Sequence, residues 1–203
     1  MSESITIKER PILFSGNMIR AILNGHKTQT RRIVKTPTQY GIESCDWTGT
    51  GFGQRDSNGT CSCEPVKCPY GFVGDRLWVR ETFAGVENVN NQKPWPGIPH
   101  KKIDERTAYI YRASSAWCDD DGWKPSIHMP REASRITLEI KNIRVERLQE
   151  ISELDAEAEG IQFMRGGEDL PAAELFEILW NSIYGWDSWE QNPWVWVIEF
   201  EKK

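Results

Sequence analysis

Along the chain the apolar positions change period several times, and each change marks an element. Pro11-Ile-Leu-Phe14 is a short apolar run and reads as a strand. Ser15 stands where an N-cap belongs, ahead of Met18, Ile19, Ile22 and Leu23, which recur at helical spacing through Asn24. Gly25 follows where a helix ends in the left-handed conformation. Lys27-Thr-Gln-Thr-Arg-Arg-Ile-Val34 is rich in β-branched residues and predicts a strand. Residues 36–74 lose apolar periodicity and fill with Gly, Ser, Asn, Asp and Cys, the composition of a long loop insertion. Arg76-Leu-Trp-Val-Arg-Glu81 restores a strand, entered through a Gly74-Asp75 turn.

Residues 85–107 read as loop again, with Pro94, Pro96 and Pro99, before a short strand at 109–112 and an irregular stretch at 113–130. A long strand pattern covers 135–148. Ser152 opens a helix through about Glu159, with Asp155 in the capping-box position and Gly160 as the stop. A second helix, about 171–184, carries Leu175, Ile178, Leu179 and Ile183 on one face. Trp194-Val-Trp-Val-Ile-Glu-Phe200 alternates and closes the chain as a strand, with Trp194, Trp196, Ile198 and Phe200 on one side. The expected fold is α+β, a single domain over 1–203. It is a small, mostly antiparallel barrel with flanking helices and two long loop insertions, at about 36–74 and 85–130.

Charge adds an asymmetry. The net charge is −5, which argues against a protein that coats nucleic acid by bulk attraction. Yet residues 1–35 hold seven bases and two acids, whereas 148–201 hold thirteen acids and one base. The basic segment can meet a phosphate, or the two regions can pack together and neutralise each other. No run approaches a membrane span, and MSESITIKER lacks the apolar core of a secretory signal, so a cytoplasmic protein without a membrane partner is expected.

The densest chemistry is Gly25-His-Lys-Thr-Gln-Thr-Arg-Arg32. A lysine whose pKa is lowered by desolvation and neighbouring cations can activate a hydroxyl nucleophile. Lys27 and Thr30 fit those roles if a twist after the helix brings them together, and Arg31 and Arg32 supply the cations. A solvated basic strand edge is the plainer alternative. Cys45, Cys61, Cys63 and Cys68 can supply four thiolates to a structural Zn²⁺ that orders the polar insertion, or stand as free thiols. His26, His100 and His128 show no metal-binding spacing. Trp78 sits mid-strand, while Trp95, Trp117 and Trp123 lie in loops, as anchors or as stacking surfaces for bases.

Gly25, Lys27, Thr28 and Arg32, followed by Gly74-Asp75-Arg76-Leu77-Trp78-Val79, resemble the ASCH family of the PUA-like superfamily. CPYG at 68–71, RLWVRET at 76–82, HMPR at 128–131 and the WVWVIEF close are similar to phage and prophage ASCH-like proteins. Small bacterial members are amidohydrolases that release acetate from N4-acetylcytidine, with a Gly-x-Lys-Thr-x-Thr-x-Arg pattern and a later helical glutamate. The resemblance places the lysine on Lys27, the nucleophilic threonine on Thr30 and the proton-carrying glutamate on Glu159, one of four acids in a helix that also offers Glu153, Asp155 and Glu157. It implies an amidohydrolase acting on an N4-acylated cytidine or related modified pyrimidine, needing no cofactor. Thr28, Arg31, Arg32, Trp78 and His128 are the implied substrate- or nucleic-acid-binding residues. A non-catalytic reader of RNA or modified DNA, or a ribonuclease, would use the same basic cleft. On this reading Glu159→Gln stops turnover at little cost in stability.

Overall fold

The computed structural model describes residues 7–35, 41–45, 51–87, 100–102, 107–115, 122–161 and 170–203. It is a mixed α+β structure in which strands dominate. The main sheet has five strands in the order β1-β6-β10-β11-β2. These are β1 (Glu9–Leu13), β2 (Gln29–Ile33), β6 (Arg76–Arg80), β10 (Thr137–Arg147) and β11 (Trp194–Lys202). β1 runs parallel to β6, and the other pairings are antiparallel. Arg32, on the last strand, donates to the Leu13 carbonyl of the first at 2.6 Å, and the Phe14 and Phe200 rings lie 6.2 Å apart. The sheet therefore curls until its edges face each other, although no ladder joins β1 to β2 among the described residues.

β11 explains how the core is divided. Its Trp196, Ile198 and Phe200 face Ile12, Phe14, Ile19, Leu77 and Leu138 inside the curl. Its Val195 and Val197 face the opposite way, against Leu148, Ala156, Leu175, Phe176 and Trp180. A strand buried on both sides carries a continuous apolar run, which is what Val-Trp-Val-Ile amounts to. The second layer holds α2 (Glu153–Ala158) and α3 (Ala172–Tyr184), while α1 (Gly16–Leu23) crosses from β1 to β2.

The two insertions depart from their loop-like reading. Within 36–74 lie β3 (Ile42–Cys45), β4 (Gly51–Arg55) and β5 (Cys61–Pro65), an antiparallel sheet of their own. In and just before 85–130, β7 (Phe83–Glu87) and β8 (His100–Lys102) pair with β9 (Thr107–Tyr111), the short strand expected near 109–112, in another sheet packed over Met129 and Ala133. Main-chain pairing needs no apolar periodicity, so polar strands escape a search for it. The face of α3 also differs from expectation. Ala172, Leu175, Phe176 and Trp180 are buried, whereas Ile178 and Ile183 are exposed. Burial of two large rings outweighs burial of two aliphatic side chains, so the helix turns its aromatic stripe inward.

The Gly74-Asp75 turn is structural. Asp75 accepts hydrogen bonds from the Lys8 amide (2.9 Å), Arg10 (2.7 Å) and the Phe72 amide (3.2 Å), tying the start of β1 to β6.

Candidate functional site

Where α2 ends, it docks against the segment that leads into β2. The Thr28 amide donates to the Ala158 carbonyl at 2.9 Å, a group the helix end would otherwise leave unpaired. Gln29 reaches the Asp155 carbonyl at 3.3 Å, and the Thr28 carbonyl accepts from Phe200 on the other side. Gly160 makes the approach feasible. Its φ is +79°, and a Cβ there would come within 3.0 Å of both Lys27 Cβ and Ala21 Cβ. Any other residue would push α2 away from Lys27.

This docking buries Lys27 completely. Its Nζ lies 2.5 Å from Glu159 Oε2 and 3.0 Å from the Glu159 carbonyl. Burial drives its pKa below the ordinary lysine value, against the opposing pull of Glu159, with Arg32 and Arg31 lowering it further. Of the four acids in and after α2, Glu159 is the one paired with Lys27. Asp155 instead meets Arg31 (3.3 Å) and Arg144 (2.8 Å). Burial alone would raise its pKa, but Arg144 and Arg31 reverse that and hold it below the usual carboxylate range. Glu153 accepts from the Ala172 amide at 2.7 Å and so caps α3.

Arg31 is also fully buried. It spans Glu146 (2.5 Å), Asp155 and Glu159 (3.4 Å), with its guanidinium 5.8 Å from the Phe176 ring centroid. Arg144 extends the network to Glu146 and Glu199. The acidic C-terminal half and the basic N-terminal segment thus neutralise one another here. A buried guanidinium needs such a fence, because each charge removed from water costs several kcal/mol unless paired, on the order of the Born penalty reduced by relaxation.

Thr30, Arg31, Arg32 and Glu159 form the polar floor of a narrow cleft. Phe176, Leu179, Trp180 and Tyr184 of α3 wall one side, and Met18 of α1 closes the other. The free space is about 20 Å³, roughly one water molecule. Lys27 stands behind Glu159 and meets the cleft through that carboxylate. Two of the lining residues carry buried N–H groups without an acceptor, Arg32 Nε and Trp180 Nε1. Orphan buried donors are uncommon in folded proteins and call for an explanation.

The other sequence-predicted residues lie elsewhere. Thr28 is exposed and contributes through its backbone. Trp78 sits on the outer face of β6, with the guanidinium groups of Arg80 and Arg131 at 5.5 and 5.9 Å from its ring. His128 is exposed in a short turn, beside Ile127, whose carbonyl accepts from Arg80. Trp123 is half-buried beside Arg112, and Trp95 and Trp117 lie outside the described residues.

Cysteines 45 and 61 flank β4 from opposite sides and at opposite ends, Cys45 facing Gly51 and Cys61 facing Arg55. Cys68 belongs to the main core, where burial pushes its thiol up to about 11. The side chains of Cys45, Cys61 and Cys63 lie outside the described residues.

Sequence reasoning missed the aromatic wall and the Arg144–Glu146 part of the network. The wall had a legible signal, Phe176, Trp180 and Tyr184 spaced four apart. The chain matches no protein-family model, no curated protein and no solved structure. The functional argument therefore rests on the cleft itself.

Proposed function

We propose that the protein is an amidohydrolase that removes the acyl group from an N4-acylated cytidine or a similar modified pyrimidine. The observation that carries this reading is Thr30 sharing a cleft with Glu159, whose carboxylate is paired with the buried Lys27. As Thr30 Oγ1 attacks the acyl carbon, its proton passes through Glu159, which lines the cleft, to Lys27, whose proton affinity burial lowers. Proton transfer along the 2.5 Å Lys27–Glu159 contact lets Glu159 protonate the departing ring amine as the C–N bond breaks. Water then cleaves the Thr30 ester, giving the carboxylic acid and restoring the hydroxyl. Arg32 Nε and Trp180 Nε1, both without acceptors, are donors for the oxygen that gains charge in each tetrahedral intermediate. The aromatic wall of α3 suits a flat base, and a substrate must part α3 from the floor to enter. The ASCH resemblance of residues 25–32 supports this assignment, and the fold that goes with that resemblance is a PUA-like barrel.

The test is a panel of N4-acylated pyrimidine nucleosides with wild type, Thr30→Val and Thr30→Ser. Deacylated product is expected from wild type, none from Thr30→Val and a reduced yield from Thr30→Ser. Equal turnover by Thr30→Val, or no turnover of any acylated pyrimidine by wild type, overturns the reading. A second reading, non-catalytic binding of RNA or modified DNA, is favoured by the Arg80–Trp78–Arg131 surface, where a base can stack beside cations. Oligonucleotide binding that Trp78→Ala abolishes, without any turnover, would select it.

A further inference from the structure

Two openings flank α1, and they differ in what their polar groups have left to bind. On one side, Gly16 and Arg20 line a space of about 260 Å³ together with Glu81, Thr82, Arg112 and Ala113. Its charged groups are engaged. Glu81 holds Arg135 at 2.8 and 2.9 Å, Arg20 reaches Asn17 and the Ala113 carbonyl, and Arg112 is partnered as well. On the other side, Met18 lines the Thr30 cleft, where two buried donors remain unmet.

Glu159, the carboxylate that lines the cleft, already faces Lys27 at 2.5 Å and Arg31 at 3.4 Å. Arg31 is balanced in turn by Glu146 and Asp155. Arg32 is different, since no carboxylate pairs with it among the described residues. Its guanidinium donates to the Leu13 carbonyl and lies 5.2 Å from the Phe14 ring centroid, while its Nε is enclosed without an acceptor. Trp180, on the α3 wall, is only 2% exposed, yet its indole N–H has no acceptor either. Leaving a buried donor unpaired costs about 1–3 kcal/mol. One cation without a counter-charge and two N–H groups without acceptors are the complement of a small monovalent anion.

From these unmet donors we infer that the cleft binds a short-chain carboxylate, the kind of acid that its own deacylation would release. A carboxylate has two oxygens and several lone pairs, so one ion can accept from Arg32 and Trp180 together and still meet the Thr30 hydroxyl. Its alkyl end would lie against the apolar wall of Phe176 and Leu179. With free space of about 20 Å³, even formate or acetate makes α3 give way slightly, and each further methylene demands more. Affinity should therefore fall with chain length. A product acid held in this way keeps the next substrate out. The source of the acid rests on the amidohydrolase reading, whereas its binding rests on the donors alone.

The test follows the indole N–H of Trp180 by NMR as sodium formate, acetate, butyrate or chloride is added to the protein, with Trp180→Phe to assign the signal. Formate and acetate are expected to shift it, with a Kd on the order of millimolar. Butyrate should bind about tenfold more weakly, because its longer chain overfills the space. Arg32→Gln and Trp180→Phe should each weaken acetate about tenfold or more, read at the Thr30 backbone amide. Thr30→Val, which keeps both donors, should still bind acetate. An indole signal unmoved by acetate at about 100 mM overturns the inference, as does chloride that binds as tightly as acetate. Acetate binding that survives both Arg32→Gln and Trp180→Phe overturns it too. Acetate binding without turnover of any acylated pyrimidine sinks the amidohydrolase reading and leaves the anion site standing, and turnover without acetate binding does the reverse.

Discussion

The two openings beside α1 use charge in opposite ways. In the Thr30 cleft, Lys27 and Arg31 are wholly buried, every carboxylate faces a cation, and the free space is about 20 Å³. In the other cavity Arg20 and Arg112 stand in solvent around about 260 Å³. Buried paired charges hold fixed geometry and shifted proton affinities, the conditions for moving protons. Exposed charges around an open space hold neither.

The largest effect that separates them is expected at Glu159. Glu159→Ala strands a buried lysine and should lower unfolding stability by about 3–5 kcal/mol in urea denaturation. Lys27→Met/Glu159→Leu, which removes both charges, should recover most of that loss. Glu159→Gln, cheap in stability from the sequence alone, is costly in this structure, because an amide cannot balance the Lys27 charge that burial isolates. A loss under about 1 kcal/mol, the range of exposed pairs, would mean that water reaches the pair and the contrast fails.

Gly160→Ala comes next. The left-handed backbone alone costs about 1–2 kcal/mol, and the 3.0 Å approach to Lys27 Cβ adds to it. The shift should also disturb turnover, whereas Gly25→Ala has open space around its Cβ and carries the backbone term alone.

Proton linkage gives a smaller and graded effect. Lys27 has a folded pKa below its unfolded value of 10.5, so between the two the unfolded chain binds more protons. Stability should therefore rise with pH across that window, by at most about 1.4 kcal/mol per pH unit from this one group. Lys27→Met should flatten the slope in pH-dependent denaturation. An unchanged slope would show that Lys27 does not titrate there.

The smallest effect belongs to the open cavity. Arg20→Gln should change stability by no more than about 0.5 kcal/mol, since the side chain is exposed. A larger loss would mean that this cation is structural, and the two openings would then differ less than the geometry indicates.

Local pattern was enough for the strands and helices whose apolar residues repeat, from β1 and α1 to the long β10 and the closing β11. It was enough, too, for Ser152, whose side chain accepts from Asp155 as a cap should, and for the stops at Gly25 and Gly160, both at positive φ. These depend on neighbours a few residues away, and a sequence displays those directly. Apart from β9, which was expected near 109–112, the strands of the insertions needed the structure, because main-chain pairing holds them without a regular apolar period. Lys27 and Glu159 lie 132 residues apart, so no local period relates them. Neither could spacing show that Trp78 and His128 fall outside the cleft while Trp180 lines it. Burial is what turns Lys27 from a solvated edge cation into a group with a lowered pKa, and burial is a property of the packed chain. The sequence named the residue types and most of the elements, whereas desolvation and the meeting of distant charges arose only when α2 closed on β2.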